Sequence, residues 1–379
     1  MSVVYVHIGL PKTGTTHLQD RLWRNRDLAM RSSGLLYPGD VISDHFHAAV
    51  HLQPERYLDW VDPAFARKWP TLLAQMKAWP QTSLLSHELY ATATPEHIAT
   101  LMDDLSFADE VHVIATVRDL ARQLPSVWQE NIKNQREATF DEFLASVHTC
   151  GPALPGFVAP TDGAVEEPFW EFQDYIRILA DWAQAVGPER VHVVTVPTRR
   201  DTPGDNLWER FLRVLDVEPA ALTIPVPSLN SSLSAAQAEF LRQLNHRLQP
   251  TEVAWQRYER VIKGQLIGEI LFEAPNGAPR GLTSDQRTWI AHTADEMIGE
   301  VRSAGYRVSG DLGDLAVSRL AAGDALPPTV QDVLDVALDT MAEMVKVAPL
   351  PAVGPRWKTR AMNIVRRIRR RALGVRRSL

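Results

Sequence analysis

The chain has 379 residues, 45% hydrophobic and 23% charged, the balance of a folded protein with one large domain or two smaller ones. Its net charge of −6 hides an asymmetry. Ten Arg or Lys and no acid lie between Arg356 and Arg377, which leaves 30 basic against 46 acidic residues, or −16, for the rest. An acidic body argues against a general nucleic-acid binder, and a single cysteine, Cys150, excludes an internal disulfide and a cysteine-based zinc cluster.

Val3 to Ile8 is β-branched and aromatic and reads as a strand. Gly9 to Gly14 follows as a tight loop, and Thr15-Thr16 opens a helix with Leu18, Leu22 and Trp23 on one side. Gly34 to Pro38 reads as a helix exit and a short strand, and His45 to Trp79 as helix and loop. Thr82 to Ser86 is a short strand, and Pro95 to Leu101 a helix capped by Thr94. Val111 to Val117 is an apolar run of the kind found in buried parallel sheets, followed by a helix from Leu120 to about Lys133. Residues 140–168 read as a loop or lid, richest in Gly, Pro and Ala from Cys150 to Glu167. Trp170 to Val186 is a helix, Val191 to Val196 a strand and Leu207 to Leu215 a helix. Further helices fit Ser234 to Arg247, Trp255 to Leu271 and Ser284 to Ser303. The alternation predicts an α/β, P-loop-like three-layer fold with a central, mostly parallel sheet and helical additions. One domain is expected over 1–310, a helical extension over 311–350 and a basic tail over 351–379. No secretory leader and no spanning apolar run is read, so the cytoplasm is expected.

A glycine-rich turn between a strand and a helix suits an anion, because backbone N–H groups converge there and the helix dipole favours negative charge. Gly9 and Gly14 allow close approach, Lys12 adds a point charge, and Thr15 and Thr16 add hydroxyls. The spacing Gly9-x4-Gly14 equals that of a P-loop, but Thr15 stands where the P-loop has its lysine. Pro11-Lys12-Thr13-Gly14-Thr15-Thr16 resembles the 5′-phosphosulfate loop of PAPS-dependent sulfotransferases. The resemblance implies that Lys12 bridges the 5′-phosphate and the moving sulfuryl group while Thr13, Gly14, Thr15 and Thr16 hold the phosphate. Arg118 ends the strand at Val117, and Ser126 lies eight residues beyond it. This pair resembles the family's 3′-phosphate site, provided that the residues between loop over the anion and a helix starts near Pro125. Trp128 is a candidate adenine stack or a structural residue, and Arg280-Gly281 is the nearest counterpart of a late basic loop against the same phosphate.

Ser86-His87-Glu88 ends a strand at the same sheet edge. It resembles the Ser-Ser-Glu of bacterial and carbohydrate sulfotransferases, which favours Glu88 as the base over His87. Alternatively Glu88 pairs with Lys12 or Arg118 and organises the site. His7 reads as a core or supporting residue. His45, His47 and His51 shape an acceptor pocket, and no metal is expected. Trp60, Trp69, Trp79, Trp128 and Trp170 fall where such acceptor pockets are built. Asn230-Ser231-Ser232-Leu233-Ser234 is similar to a turn of bacterial members, with Ser234 as a helix cap. The implied reaction moves the sulfuryl group of PAPS to a hydroxyl or amine of a small-molecule, carbohydrate or lipid acceptor and releases PAP. The other readings are a P-loop kinase using ATP and a non-catalytic nucleotide-binding protein. The basic tail suggests contact with an anionic membrane face or an acidic partner, or simple solvation.

Overall fold

The computed structural model describes residues 1–57, 67–150, 169–198, 204–227, 232–274, 277–318 and 326–347. Trp60, Asn230, Ser231, residues 151–168 and the basic tail lie outside them.

In chain order the elements are β1 (Val3–His7), α1 (Thr15–Ser33), β2 (Leu35–Leu36), α2 (Asp44–Leu52), α3 (Pro54–Tyr57), α4 (Lys68–Ala78) and β3 (Thr82–Ser86). Then come α5 (Pro95–Asp104), β4 (Glu110–Val117), α6 (Leu120–Lys133), α7 (Phe140–Cys150), α8 (Tyr175–Val186) and β5 (Val191–Thr195). The last are α9 (Leu207–Val214), α10 (Ala235–Arg247), α11 (Trp255–Tyr258), α12 (Ser284–Ser303), β6 (Arg307–Ser309) and α13 (Val330–Val347). From Glu259 to Leu271 the chain continues α11 as a π-helix.

All six strands pair in parallel, in the order β2-β3-β1-β4-β5-β6. The sheet is sandwiched. Val4, Val6, Ile8, Val113, Ala115 and Val193 face a layer built from α2, α4, α5, α6, α8, α10 and α12. Leu84, Ile114 and Val194 face α1 and α9 through Leu18, Leu22, Phe211 and Leu212. The chain leaves β1 toward one edge and β4 toward the other, so the strand order switches at β1/β4. Ligands of open α/β sheets enter beyond the carboxyl ends of the strands at such a point.

Two expectations are corrected, and one strand was not expected. Phe140–Cys150 is a helix, not the start of a lid. Thr139 and Glu142 exchange bonds as a capping box (2.7 to 3.2 Å), and Phe140, Phe143, Leu144 and Val147 recur at helical spacing. The helix expected from Trp170 breaks, because Asp174 caps a new start by accepting from Arg177 N–H. β6 has only three residues and an exposed, polar pattern, which carries no strand signal. Among the described residues no helix is long and apolar enough to cross a membrane.

Arg210 locks the β5 end of the sheet. Its side chain is 3% exposed, and Nη1 donates to Thr195 O (2.9 Å), Thr195 Oγ1 (2.7 Å) and Asp314 Oδ2 (2.5 Å), while Nε donates to Asp205 Oδ1 (2.8 Å). Arg210→Met leaves these acceptors without their cation. The expected loss is about 3–5 kcal/mol of stability, read from the urea midpoint.

Candidate functional site

The loop after β1 is stitched to β4 before it turns. Ile8 N–H donates to Ile114 O (2.9 Å), Leu10 N–H to Thr116 O (3.0 Å) and Thr116 N–H to Gly9 O (2.5 Å). Gly9 (φ +88) and Gly14 (φ +98) take the left-handed backbone that glycine tolerates, and Lys12 takes it too (φ +64). A non-glycine residue held there marks a loop fixed by its surroundings. Gly14 precedes α1 and offers no side-chain cap, so the first N–H groups of the helix have no partner within it.

The threonines do not all play their expected part. Thr13 Oγ1 donates to Leu10 O (2.6 Å), and Thr15 Oγ1 donates to the same carbonyl (3.0 Å). Both residues are buried, so their hydroxyls shape the loop rather than face a phosphate. Thr16 alone of the three is exposed.

Beneath α1 a hydrogen-bond chain joins this loop to β3. With the Thr13 proton spent on Leu10, Thr116 Oγ1 donates to Thr13 Oγ1 (2.6 Å) and accepts from His7 Nε2–H (3.3 Å). His7 Nδ1 is then free to accept from Ser86 Oγ (2.7 Å). Burial, and then the nearby His87, push the His7 pKa down to about 3, so the ring is neutral.

Ser86 leads into His87-Glu88. Glu88 lies directly on the loop: a Cβ at Gly9 would stand 2.8 Å from Glu88 Cβ and 2.9 Å from its Cα. Glu88 Oε2 is buried and has no hydrogen-bond partner among the described residues. His87 is committed differently. Its Nδ1 accepts from Leu89 N–H (3.2 Å), and burial lowers its pKa. A neutral ring with Nδ1 used as acceptor carries its proton on Nε2 and cannot take another there. Of the two candidate bases, Glu88 is the one with an open acceptor atom.

Neither expected pairing of Glu88 is present. Lys12 Nζ pairs with Glu130 Oε2 (3.0 Å), on α6. Arg118 Nη1 donates to Lys12 O (3.2 Å), and Gln123 Nε2 donates to Pro11 O (3.0 Å), so α6 grips the loop from below. Asp119 caps α6 through Arg122 N–H (3.0 Å) and pairs with the Arg122 side chain rather than with Arg118. Burial pushes the Glu130 carboxyl up, but Lys12, Lys133 and Lys263 outweigh it and hold it below its usual range.

The context expected for the second anion site is only partly met. No helix starts at Pro125: α6 runs unbroken from Leu120 with Pro125 inside it. Ser126 therefore lies within α6, six residues or about 9 Å along its axis from Leu120, with no loop between them. Trp128 is no adenine platform. It is 3% exposed, packs edge-on to Phe140 at 5.4 Å and donates from Nε1 to Ala138 O (2.9 Å). Arg280 lies over the Phe140 ring at 5.2 Å and 3.7 Å from Asp141 Oδ1, so it belongs to the α6–α7 corner. Trp69 and Trp79 bond Asp104 (2.7 Å) and Gly34 O (3.0 Å), and Trp170 is buried. His45 stacks on Tyr37 at 4.1 Å and accepts from Ser86 N–H (3.3 Å). No metal-binding group of three His, Cys, Asp or Glu occurs among the described residues.

Two grooves, of about 760 and 340 Å³, are lined by none of Lys12, Glu88 or Arg118. Lys12 had a sequence signal; Glu130 and His7 gained their partners only through β-sheet order and helix packing. Comparison of the chain with family models, with curated proteins and with solved structures returns no match.

Proposed function

We propose that this protein transfers the sulfuryl group of PAPS to an acceptor hydroxyl or amine and releases PAP. The observation that carries the reading is the unpartnered, buried Oε2 of Glu88 against the loop that begins at Gly9. A carboxylate beside an anion-binding turn opposes the anion by charge. It is useful there if it takes a proton during the reaction.

In this reading the N–H groups at the start of α1 and the Lys12 ammonium hold the phosphosulfate. Lys12 leaves Glu130 for the anion. The acceptor oxygen or nitrogen forms its bond to sulfur in line as the sulfur–oxygen bond to the 5′-phosphate breaks. Glu88 takes the acceptor proton. Arg118 stands at the carboxyl end of β4 for the 3′-phosphate. Thr15, buried at the position of a P-loop lysine, supplies no cation for a triphosphate, which favours PAPS over ATP.

Calorimetric titration with PAP, ADP and ATP tests the donor. PAP is expected to bind best, and Lys12→Ala to lose that binding; preference for ATP would overturn the reading. Glu88→Gln should keep PAP binding and slow turnover of labelled PAPS by about 10²–10⁴-fold. His87→Asn, which preserves an acceptor for Leu89 N–H, should slow it far less.

A further inference from the structure

α13 is apolar over more of its surface than the body covers. Val333 and Thr340 are buried where the helix packs against α10 and the π-helix, and Val336 is half-buried beside them. A second set, Val330, Leu334, Leu338, Met341 and Val345, recurs every three or four residues and so shares one side of the helix. That side faces outward: Leu338 is 55%, Met341 64% and Val345 77% exposed. Single exposed apolar side chains are ordinary, but a continuous row of them marks a contact surface.

The row is edged with acid. Within α13, Asp332, Asp335, Asp339 and Glu343 stand against Lys346 alone. Glu343 takes Lys346 (2.6 Å), and Asp332 accepts from Thr329 N–H (2.8 Å) as a helix cap. Asp335, one turn from Leu338, accepts from the neutral Gln331 side chain (2.7 Å), and neither it nor Asp339 forms an ion pair among the described residues. A covering partner must therefore bring an apolar row bordered by positive charge. A second α13 would bring like charge to like, and an anionic lipid surface would repel the helix.

The chain's own sequence supplies such a partner. Ten Arg or Lys and no acid lie between Arg356 and Arg377, and among them Ile364, Val365, Ile368 and Ala372 recur at helical spacing. Residues 348–355 join this tail to α13, and three of the eight are prolines, which stop the helix from running on. Eight residues reach about 26 Å and α13 is about 27 Å long, so the tail can meet almost any part of the face that precedes it. We infer that the basic tail folds back onto α13 of the same chain. Its apolar residues cover Leu334, Leu338 and Met341, and its arginines meet Asp335 and Asp339. The tether favours this pairing over any between separate molecules. The contact does not depend on the transfer reading.

Limited trypsin digestion of the full chain tests this, with the early fragments identified by mass spectrometry. Leu338→Gln with Met341→Gln should speed cleavage after Arg366 to Arg371 at least about tenfold over the wild type, since a covered segment must open before it is cut. Both side chains are exposed to the body, so cleavage elsewhere in the chain should keep its rate. Asp335→Asn with Asp339→Asn should speed the same tail cuts at least about threefold at low salt, and less at high salt. Equal tail cleavage in the wild type and either variant overturns the inference. Protection that grows with protein concentration would put the tail on a second copy and overturns it too. So does protection that appears only with phosphatidylserine vesicles, which would give the tail to a membrane.

Discussion

Gly9→Ala is expected to destabilise the protein by about 2–5 kcal/mol and to disable the site at once. Two costs add. At φ +88 an alanine is strained by about 1–2 kcal/mol. Its Cβ would also stand 2.8 Å from Glu88 Cβ and 2.9 Å from Glu88 Cα. The second neighbour is backbone and cannot rotate away, so the β3 exit must move, at an overpacking cost of about 1–3 kcal/mol. Gly305→Ala separates the two terms. Gly305 has φ +77, but nothing lies within 4 Å of an added Cβ, so it should lose only the strain. Urea midpoints of both variants check this. Equal losses would mean that the approach of Glu88 to the loop is not tight. On the transfer reading Gly9→Ala also lowers turnover more than Gly305→Ala does, because the base shifts with its backbone.

Stability should collapse on mild acidification. His7 and His45 are 0% and 2% exposed, and both are held neutral with pKa values of about 3, chiefly by burial. Unfolded, each titrates at 6.5. Above that value both states are neutral and these rings do not affect the balance. From 6.5 down to about 3 these two rings bind protons in the unfolded chain and not in the folded one, so falling pH favours unfolding. Each ring contributes roughly 1.4 kcal/mol per pH unit within that window. Against a typical domain stability of about 5–15 kcal/mol, the pair alone removes a large share by pH 5. Urea midpoints at pH 7, 6 and 5 should fall with increasing steepness; a flat profile would mean that the rings take up protons in the folded state. His7→Gln should shallow the slope, by less than half, because burial also lowers the His17, His47, His87 and His192 pKa values.

Much of the fold could be read directly because its signals are local. β3 and α12 match their expected bounds, since β-branched runs and capping residues act over a few positions. Strand order is not local, and with it went every partnership across the sheet. Glycine spacing marked the loop, yet nothing in it revealed that Thr13 and Thr15 turn inward to Leu10 O. Hydroxyls can serve their own backbone as well as a ligand, and composition does not distinguish the two. Trp128 looked available because it lies near Arg118 in the chain, but helical rotation directs it to Phe140 and the core. Lys133 and Lys263 are 130 residues apart in sequence, and that their charges lie close enough to interact emerged only where α6 and the π-helix met.

The stitching of the loop into β4 has a kinetic consequence. Its entry residues already hold sheet hydrogen bonds, and its inward threonines already hold Leu10 O. An arriving anion therefore has little backbone to order. On the transfer reading, association of PAP should follow a single exponential whose rate rises linearly with PAP concentration and falls with ionic strength, without the plateau that a slow reshaping step imposes. Breaking the Lys12–Glu130 pair, a side-chain event, is fast on that scale. On that reading the loop is a fixed receptor, and selectivity among anions is set at departure rather than at arrival.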